Sequence, residues 1–230
     1  ALFLSSLYLC HGLGIFVQYM QSNYQHKVPP WNDYSRFIKH KFGQRVQKIS
    51  VNTGLSCPNL DGTLSTKGCT YCNNSSFSPY YCRRLSSVKE QLKEGIRFFS
   101  AKYKAQKYIA YFQNYTNTYT SDAKFRELCN MALETKPVLG LAIATRPDCV
   151  TENQLEYLDR LSKDYYISLE IGVESTLEKS LKRINRGHGW NQTQSFFTHT
   201  RKYGFHTCAH LILGLPGETD NEMLGHAEKI

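Results

Sequence analysis

The chain reads as an α/β protein built on a parallel sheet, and three observations lead there. From Lys48 onward, strand-like runs rich in β-branched and aromatic residues alternate with amphipathic helical stretches. Strands separated by helices pair in parallel through right-handed crossovers. The unusual polar clusters all follow strands, which puts them on one edge of such a sheet, where parallel βα arrays carry their chemistry. Apolar residues make up 41% of the 230 residues, ordinary for a globular chain and too many for a disordered one.

The elements follow in order. Residues 48–52 form the first strand, and a Gly/Ser/Thr-rich loop carrying cysteines comes after it. The pattern predicts a helix over 88–105, with Leu92, Ile96 and Phe99 at 3–4 spacing, and then an aromatic strand over 108–113. A helix over 122–134 puts Phe125, Leu128, Met131 and Ala132 on one side, with Ser121 or Asp122 as its cap. A strand over 138–144 precedes a helix over 151–161, for which Thr151 and Gln154 offer a capping box. Strand 167–172, helix 192–203 and strand 207–213 complete five βα units together with a helix starting near Asp220. The chain begins at Ala1, has its first Met at Met20, and stops at Ile230 inside that last helix. The expectation is a fragment whose C-terminal part is missing.

Lys and Arg number 28 against 19 Asp and Glu, giving a net charge of +9. No acidic residue falls between Asp33 and Asp61, where Arg36, Lys39, Lys41, Arg45 and Lys48 all lie. Lys179, Lys182, Arg183 and Arg186 form a second basic group, with His188 beside it. Such a field attracts polyanions, nucleic acid above all, although a solvated basic face fits it as well. Residues 1–19 are an apolar extension of unassigned role: upstream sequence, a targeting or membrane segment and a helix of the fold all fit, and there is no firm sign of a membrane protein. Residues 20–47 read as a basic N-terminal extension and 48–230 as the folded catalytic portion.

Eight cysteines in a chain of this size are not a disulfide scaffold. Cys129 and Cys208 sit among apolar neighbours as small hydrophobes, and the clustering of the rest points to a reducing compartment, hence the cytoplasm, and to a metal. Cys57-x11-Cys69-x2-Cys72 supplies three thiolates, one too few for a closed tetrahedral site and the right number for a four-iron cluster with one open iron. Cys82 keeps a rival open, because Cys57, Cys69, Cys72 and Cys82 could together hold zinc in a nucleic-acid-binding module without catalytic activity.

The ending Cys69-Thr70-Tyr71-Cys72, after a first strand and ahead of βα units, resembles the radical SAM superfamily. The wider runs Ser56-Cys57-Pro58-Asn59-Leu60-Asp61-Gly62-Thr63 and Gly68-Cys69-Thr70-Tyr71-Cys72-Asn73 are similar to its YhcC-like branch, related to the radical SAM domain of the Elongator catalytic subunit. The resemblance implies a partial (β/α)6 TIM-type barrel, truncated here at the C-terminus. It implies a [4Fe–4S] cluster on Cys57, Cys69 and Cys72, whose open iron is chelated by S-adenosylmethionine (SAM). One-electron reduction would then cleave the sulfonium to a 5′-deoxyadenosyl radical.

Further residues take roles by the same resemblance. Tyr71 would lie against adenine or shield the cluster. Gln113 and Asn114 stand where many relatives carry a Gly-Gly-Glu-like run contacting the methionine amine. That run is absent here, but an amide oxygen can accept from an ammonium. Glu174 would accept from the ribose hydroxyls, and Arg186 would pair bidentately with the methionine carboxylate. Leu213 and Gly214, in the run from Leu211 to Thr219, would hold adenine. Arg146 faces the same cavity. The implied partners are tRNA, by relation to tRNA-modifying enzymes and by charge, and a reductant such as flavodoxin or ferredoxin.

Overall fold

A computed structural model describes residues 6–10, 33–76, 78–84, 87–103 and 107–230; of residues 6–10 and Arg84 only the backbone is described. Strand β1 is Ser6–Cys10 and helix α1 is Tyr34–Phe42, followed by β2 (Val46–Val51), α2 (Tyr80–Arg84) and α3 (Val88–Lys102). Then come β3 (Lys107–Phe112), α4 (Asp122–Leu133), β4 (Val138–Thr145), α5 (Glu152–Ser162) and β5 (Tyr166–Glu174). The order closes with α6 (Glu178–Arg183), α7 (Trp190–Thr200), β6 (His206–Ile212) and α8 (Asp220–Lys229).

All these strands share one sheet in the order β1-β6-β5-β4-β3-β2. Strands β2 to β6 run parallel in sequential order, as expected of the consecutive βα units of an incomplete (β/α)6 barrel. Strand β1 pairs antiparallel with β6 from Ser6 against Ile212 to Cys10 against Cys208. The apolar N-terminal extension therefore includes an edge strand, which its lack of a clear period had concealed. Among the described residues no helix is long and apolar enough to cross a membrane.

Alternation along each strand sorts the two faces. Ile49 and Val51, Ala110 and Phe112, Leu141 and Ile143, Leu169 and Ile171, and Ala209 and Leu211 meet Leu92, Phe125, Leu128, Leu158 and Phe196 of the covering helices in the main core. The opposite parity faces inward. At its N-terminal end Ile109, Ala142 and Tyr166 are covered by Ile38, with Phe37 and Phe42 packed alongside, so α1 closes the bottom of the barrel. Higher up, the inward positions turn polar: Lys48 and Ser50, Tyr111, Glu170, and His210.

Helices start where side-chain oxygens can satisfy their free N–H groups. Ser87, Thr151 and Thr219 each form a capping box with Glu90, Gln154 and Glu222, and Ser121 caps α4 through Lys124 N. Gly140 allows β4 and β5 to approach closely, since a Cβ there would sit 1.9 Å from the Tyr166 carbonyl oxygen. Gly140→Ala is therefore expected to cost about 3 kcal/mol or prevent folding. Gly225, inside α8 with open space around it, should gain about 0.5–1 kcal/mol on replacement by Ala. Urea unfolding of the two variants beside the parent checks both signs.

Candidate active site

A cavity of about 380 Å³ opens at the C-terminal edge of the parallel strands. The cysteine loop forms one wall. Its turns are tied by Leu60 N to Cys57 O (2.8 Å), Gly68 N to Asn59 O (2.8 Å) and Cys72 N to Cys69 O (3.0 Å). Gly68 takes φ +70°, and a Cβ would meet Leu60 Cδ2 at 2.7 Å, so only glycine suits this bend. Thr70 N donates to Ile184 O at 3.0 Å, which docks the loop on the turn after α6.

Cys57, Cys69 and Cys72 all line the cavity. Asn59 Nδ2 donates to Cys69 Sγ at 3.3 Å and Asn74 Nδ2 to Cys72 Sγ at 3.4 Å. Burial, then the neighbouring Cys69 and Cys57, push the Cys72 thiol up. Cys82 is not with them: it belongs to the main core, its Sγ donates to Ser50 O at 3.3 Å, and burial pushes its thiol up to about 11. The four-thiolate zinc arrangement is thus not assembled. Among the described residues no three His, Cys, Asp or Glu side chains are drawn together to hold a single metal ion. Three thiols spread over a cavity wall, with N–H donors aimed at two of their sulfurs, suit a cuboidal cluster.

The opposite wall is built around Arg186, only 7% exposed. Its Nη2 donates to Gly172 O at 2.6 Å and lies 3.4 Å from Glu174 Oε1, while Nη1 reaches Cys69 Sγ at 3.7 Å. A Cβ on Gly172 would stand 2.4 Å from that Nη2, so the guanidinium requires glycine beneath it. Nε of Arg186 is buried without a partner. Glu174 adopts φ +68°, strained for a side chain of its type, at the end of a β5 bulge that turns its carboxylate inward. Burial, then the Glu174 carboxylate, raise the pKa of Tyr71 well above the ordinary phenol range, so its hydroxyl stays neutral.

The floor is ionic. Lys48 of β2 pairs with Glu170 of β5, and His210 Nε2 of β6 lies 3.1 Å from Glu170 Oε2. The Lys48 ammonium also sits 4.4 Å from the Tyr34 ring centre and 4.7 Å from that of Tyr111. Burial pushes the Glu170 carboxyl up, but the His210 hydrogen bond and the Lys48 charge outweigh it and hold the pKa at about 2.

Of the residues expected at the site, Cys57, Cys69, Cys72, Tyr71, Gln113, Glu174 and Arg186 meet on this cavity. Asn114, Leu213 and Gly214 are not on its wall. Asn114 Nδ2 turns to Ser78 Oγ at 2.5 Å, and Gly214, at φ +89°, leaves the strand edge with its N–H on Met223 Sδ at 3.0 Å. Gln113 accepts from Ser50 Oγ at 2.7 Å. Arg146 lines the cavity but is spoken for, donating to Asp148 at 2.9 and 2.7 Å and to Arg186 O at 3.0 Å. Sequence reasoning missed Asn59, His210 and the inward role of Lys48; strand alternation was the signal for the last two.

A family model for the radical SAM superfamily matches residues 65–230. The chain belongs to that superfamily, whose enzymes use a [4Fe–4S] cluster and SAM. It is 36% identical over 200 residues to Protein YhcC of Escherichia coli (strain K12), covering 86% of this chain and 63% of YhcC. It therefore spans less than two thirds of that relative. Over 78 residues, 34% of this chain and 14% of the other, it is 33% identical to Elongator complex protein 3 of Saccharomyces cerevisiae. The solved structure of archaeal Methanocaldococcus infernus Elp3 lacking its N terminus superposes with a TM-score of 0.52 at 19% identity, over 80% of this chain and 42% of that one. That likeness concerns the fold.

His188 carries a pH signature. It is 6% exposed, and burial, followed by the Arg186 charge, lowers its pKa to about 4. The unfolded chain holds more protons than the fold between about 6.5 and that value, so stability should fall as pH drops through this window. His206, also lowered by burial, adds to the slope. Urea midpoints from pH 7 to 4 should flatten in His188→Gln without becoming level.

Proposed function

We propose that this chain is the core of a radical SAM enzyme that reductively cleaves SAM and directs the radical onto tRNA. The carrying observation is one cavity, at the C-terminal strand edge, lined by three cysteine thiols and a buried Arg186–Glu174 pair. When bound, the [4Fe–4S] cluster and SAM supply a one-electron cleavage that yields a 5′-deoxyadenosyl radical.

The protein's own residues bind, orient and shield. Cys57, Cys69 and Cys72 would hold the cluster through their thiolates and leave it open to SAM on the cavity side. Arg186 takes the methionine carboxylate, for which its buried Nε and forked N–H groups suit it. Glu174 accepts from the ribose hydroxyls, and Tyr71 shields the cluster or lies on adenine. Gln113, which lines the cavity, serves the methionine ammonium better than Asn114, which is turned toward Ser78. Water exclusion by these walls protects a carbon radical that would otherwise be quenched.

The tRNA assignment is supported by the +9 net charge and by the partial match to Elongator complex protein 3. A cytoplasmic setting with a flavodoxin- or ferredoxin-type reductant follows from the need for low-potential electrons and free thiols.

Anaerobic reconstitution should yield about four irons per chain, with an EPR signal after dithionite reduction that SAM perturbs. Ala at Cys57, Cys69 or Cys72 should abolish that signal, whereas Cys82→Ala should keep it. One zinc per chain, lost in Cys82→Ala, would instead establish the zinc-stabilised binding module. Transfer RNA should bind with an affinity that drops steeply between 50 and 200 mM salt; salt-insensitive or absent binding in a fluorescence titration rejects the substrate assignment.

A further inference from the structure

Asn59 is 1% exposed, and every partner its Nδ2 reaches is an acceptor. Its Nδ2 lies 2.5 Å from Asn185 O, 3.3 Å from Cys69 Sγ and 3.4 Å from Arg186 O. Two amide hydrogens serve three acceptors, so one goes to Asn185 O and the other lies between the sulfur and Arg186 O. The flipped amide would aim an oxygen at three acceptors, which fixes the orientation. Oδ1 is buried with no partner against Gly187, where a Cβ would sit 2.5 Å away. An unsatisfied buried carbonyl is costly, and what the position gains for that cost is an N–H fixed on a thiolate.

We infer that Asn59 sets the reduction potential of the cluster by donating this N–H to Cys69 Sγ. The inference rests on Cys69 being a cluster ligand, as proposed above. Reduction adds one electron, supplied by a flavodoxin- or ferredoxin-type donor, and its charge spreads onto the ligating sulfurs. A hydrogen bond to such a sulfur favours the more negative state and raises the potential, most strongly where water is excluded. Two other donors approach the sulfurs, and the charge of Arg186 raises the potential independently of Asn59. Arg186 Nη1 stands farther off at 3.7 Å, and Asn74, at 3.4 Å, serves the solvent-exposed Cys72, where water competes. The same amide ties the cysteine loop to the Arg186 turn, so the ligand and the SAM-facing guanidinium keep a constant separation. Asn59 is thus a positioning residue that acts through Cys69.

The test is an EPR-monitored redox titration of the reconstituted full chain, without SAM, using Asn59→Leu, Asn59→Asp, Asn74→Leu and Cys69→Ala. Asn59→Leu keeps the size and loses the N–H; Asn59→Asp replaces the donor by a charge. Both should retain about four irons per chain. At a fixed potential Asn59→Leu should hold about tenfold less reduced cluster, a downward midpoint shift of ~59 mV for one electron. Asn59→Asp should fall further, and Asn74→Leu should stay near the parent. Equal midpoints in parent and both Asn59 variants overturn the inference. Loss of iron from both Asn59 variants also overturns it, making the residue a scaffold and not a tuner. A normal cluster in Cys69→Ala would show instead that the ligand assignment beneath it has failed.

Discussion

A guanidinium cannot leave water without company, and much of the upper half of this molecule supplies company for Arg186. The Gly172 carbonyl, the Glu174 carboxylate and the Cys69 sulfur surround the charge. The consequences spread outward along the chain. Gly172 must lack a side chain, β5 must bulge so that Glu174 can reach inward, and the cysteine loop must dock against the turn that carries the arginine. The backbone oxygen of the same residue accepts from Arg146, whose other donors are held by Asp148. Loops leaving β2, β4 and β5 are therefore all fastened to one residue, and the cavity is the space left between them.

Beneath that wall lies a second ionic group with a different job. Lys48, Glu170 and His210 come from β2, β5 and β6, so their contact spans the concave face of the sheet. A buried ion pair of this kind adds little net stability over an apolar packing of the same volume. It does specify geometry, because the pair forms only if the sheet curves far enough to bring β2 toward β5. Helix α1 fills the bottom with apolar side chains. Going up the barrel, the interior passes from hydrocarbon to fixed charge to thiol, and the cysteine-lined cavity opens at the top.

Most of the architecture was legible from local periodicity. Parallel strands β2 to β6 fall within two residues of where alternation placed them, and Thr151 forms the capping box with Gln154 that their spacing suggested. Helices α2 and α6, of 5 and 6 residues, are too short for a period to register. Strand β1 lay hidden in an apolar run with no polar alternation. The cysteines stood out through their spacing after the first strand, and Tyr71, Glu174 and Arg186 through resemblance to family motifs; all of them line the cavity. Asn59 did not stand out, because an amide draws its meaning from partners, and Asn185 and Arg186 are more than a hundred residues away. Leu213 and Gly214 follow the end of β6 at Ile212, where the glycine takes φ +89°.

Among the described residues, three other than glycine hold left-handed backbone: Tyr115, Glu174 and Asn185. Glu174 lines the cavity, as does Tyr115, and Asn185 anchors the loop below it through Gly68 O at 2.7 Å. Each such conformation stores on the order of 1–3 kcal/mol, less for asparagine. Glycine would release that strain at every one of these positions and delete the side chain that needed it. Natural drift toward a sturdier fold would thus erode the cavity first, and a thermostable descendant of this chain could keep its whole barrel while losing its chemistry.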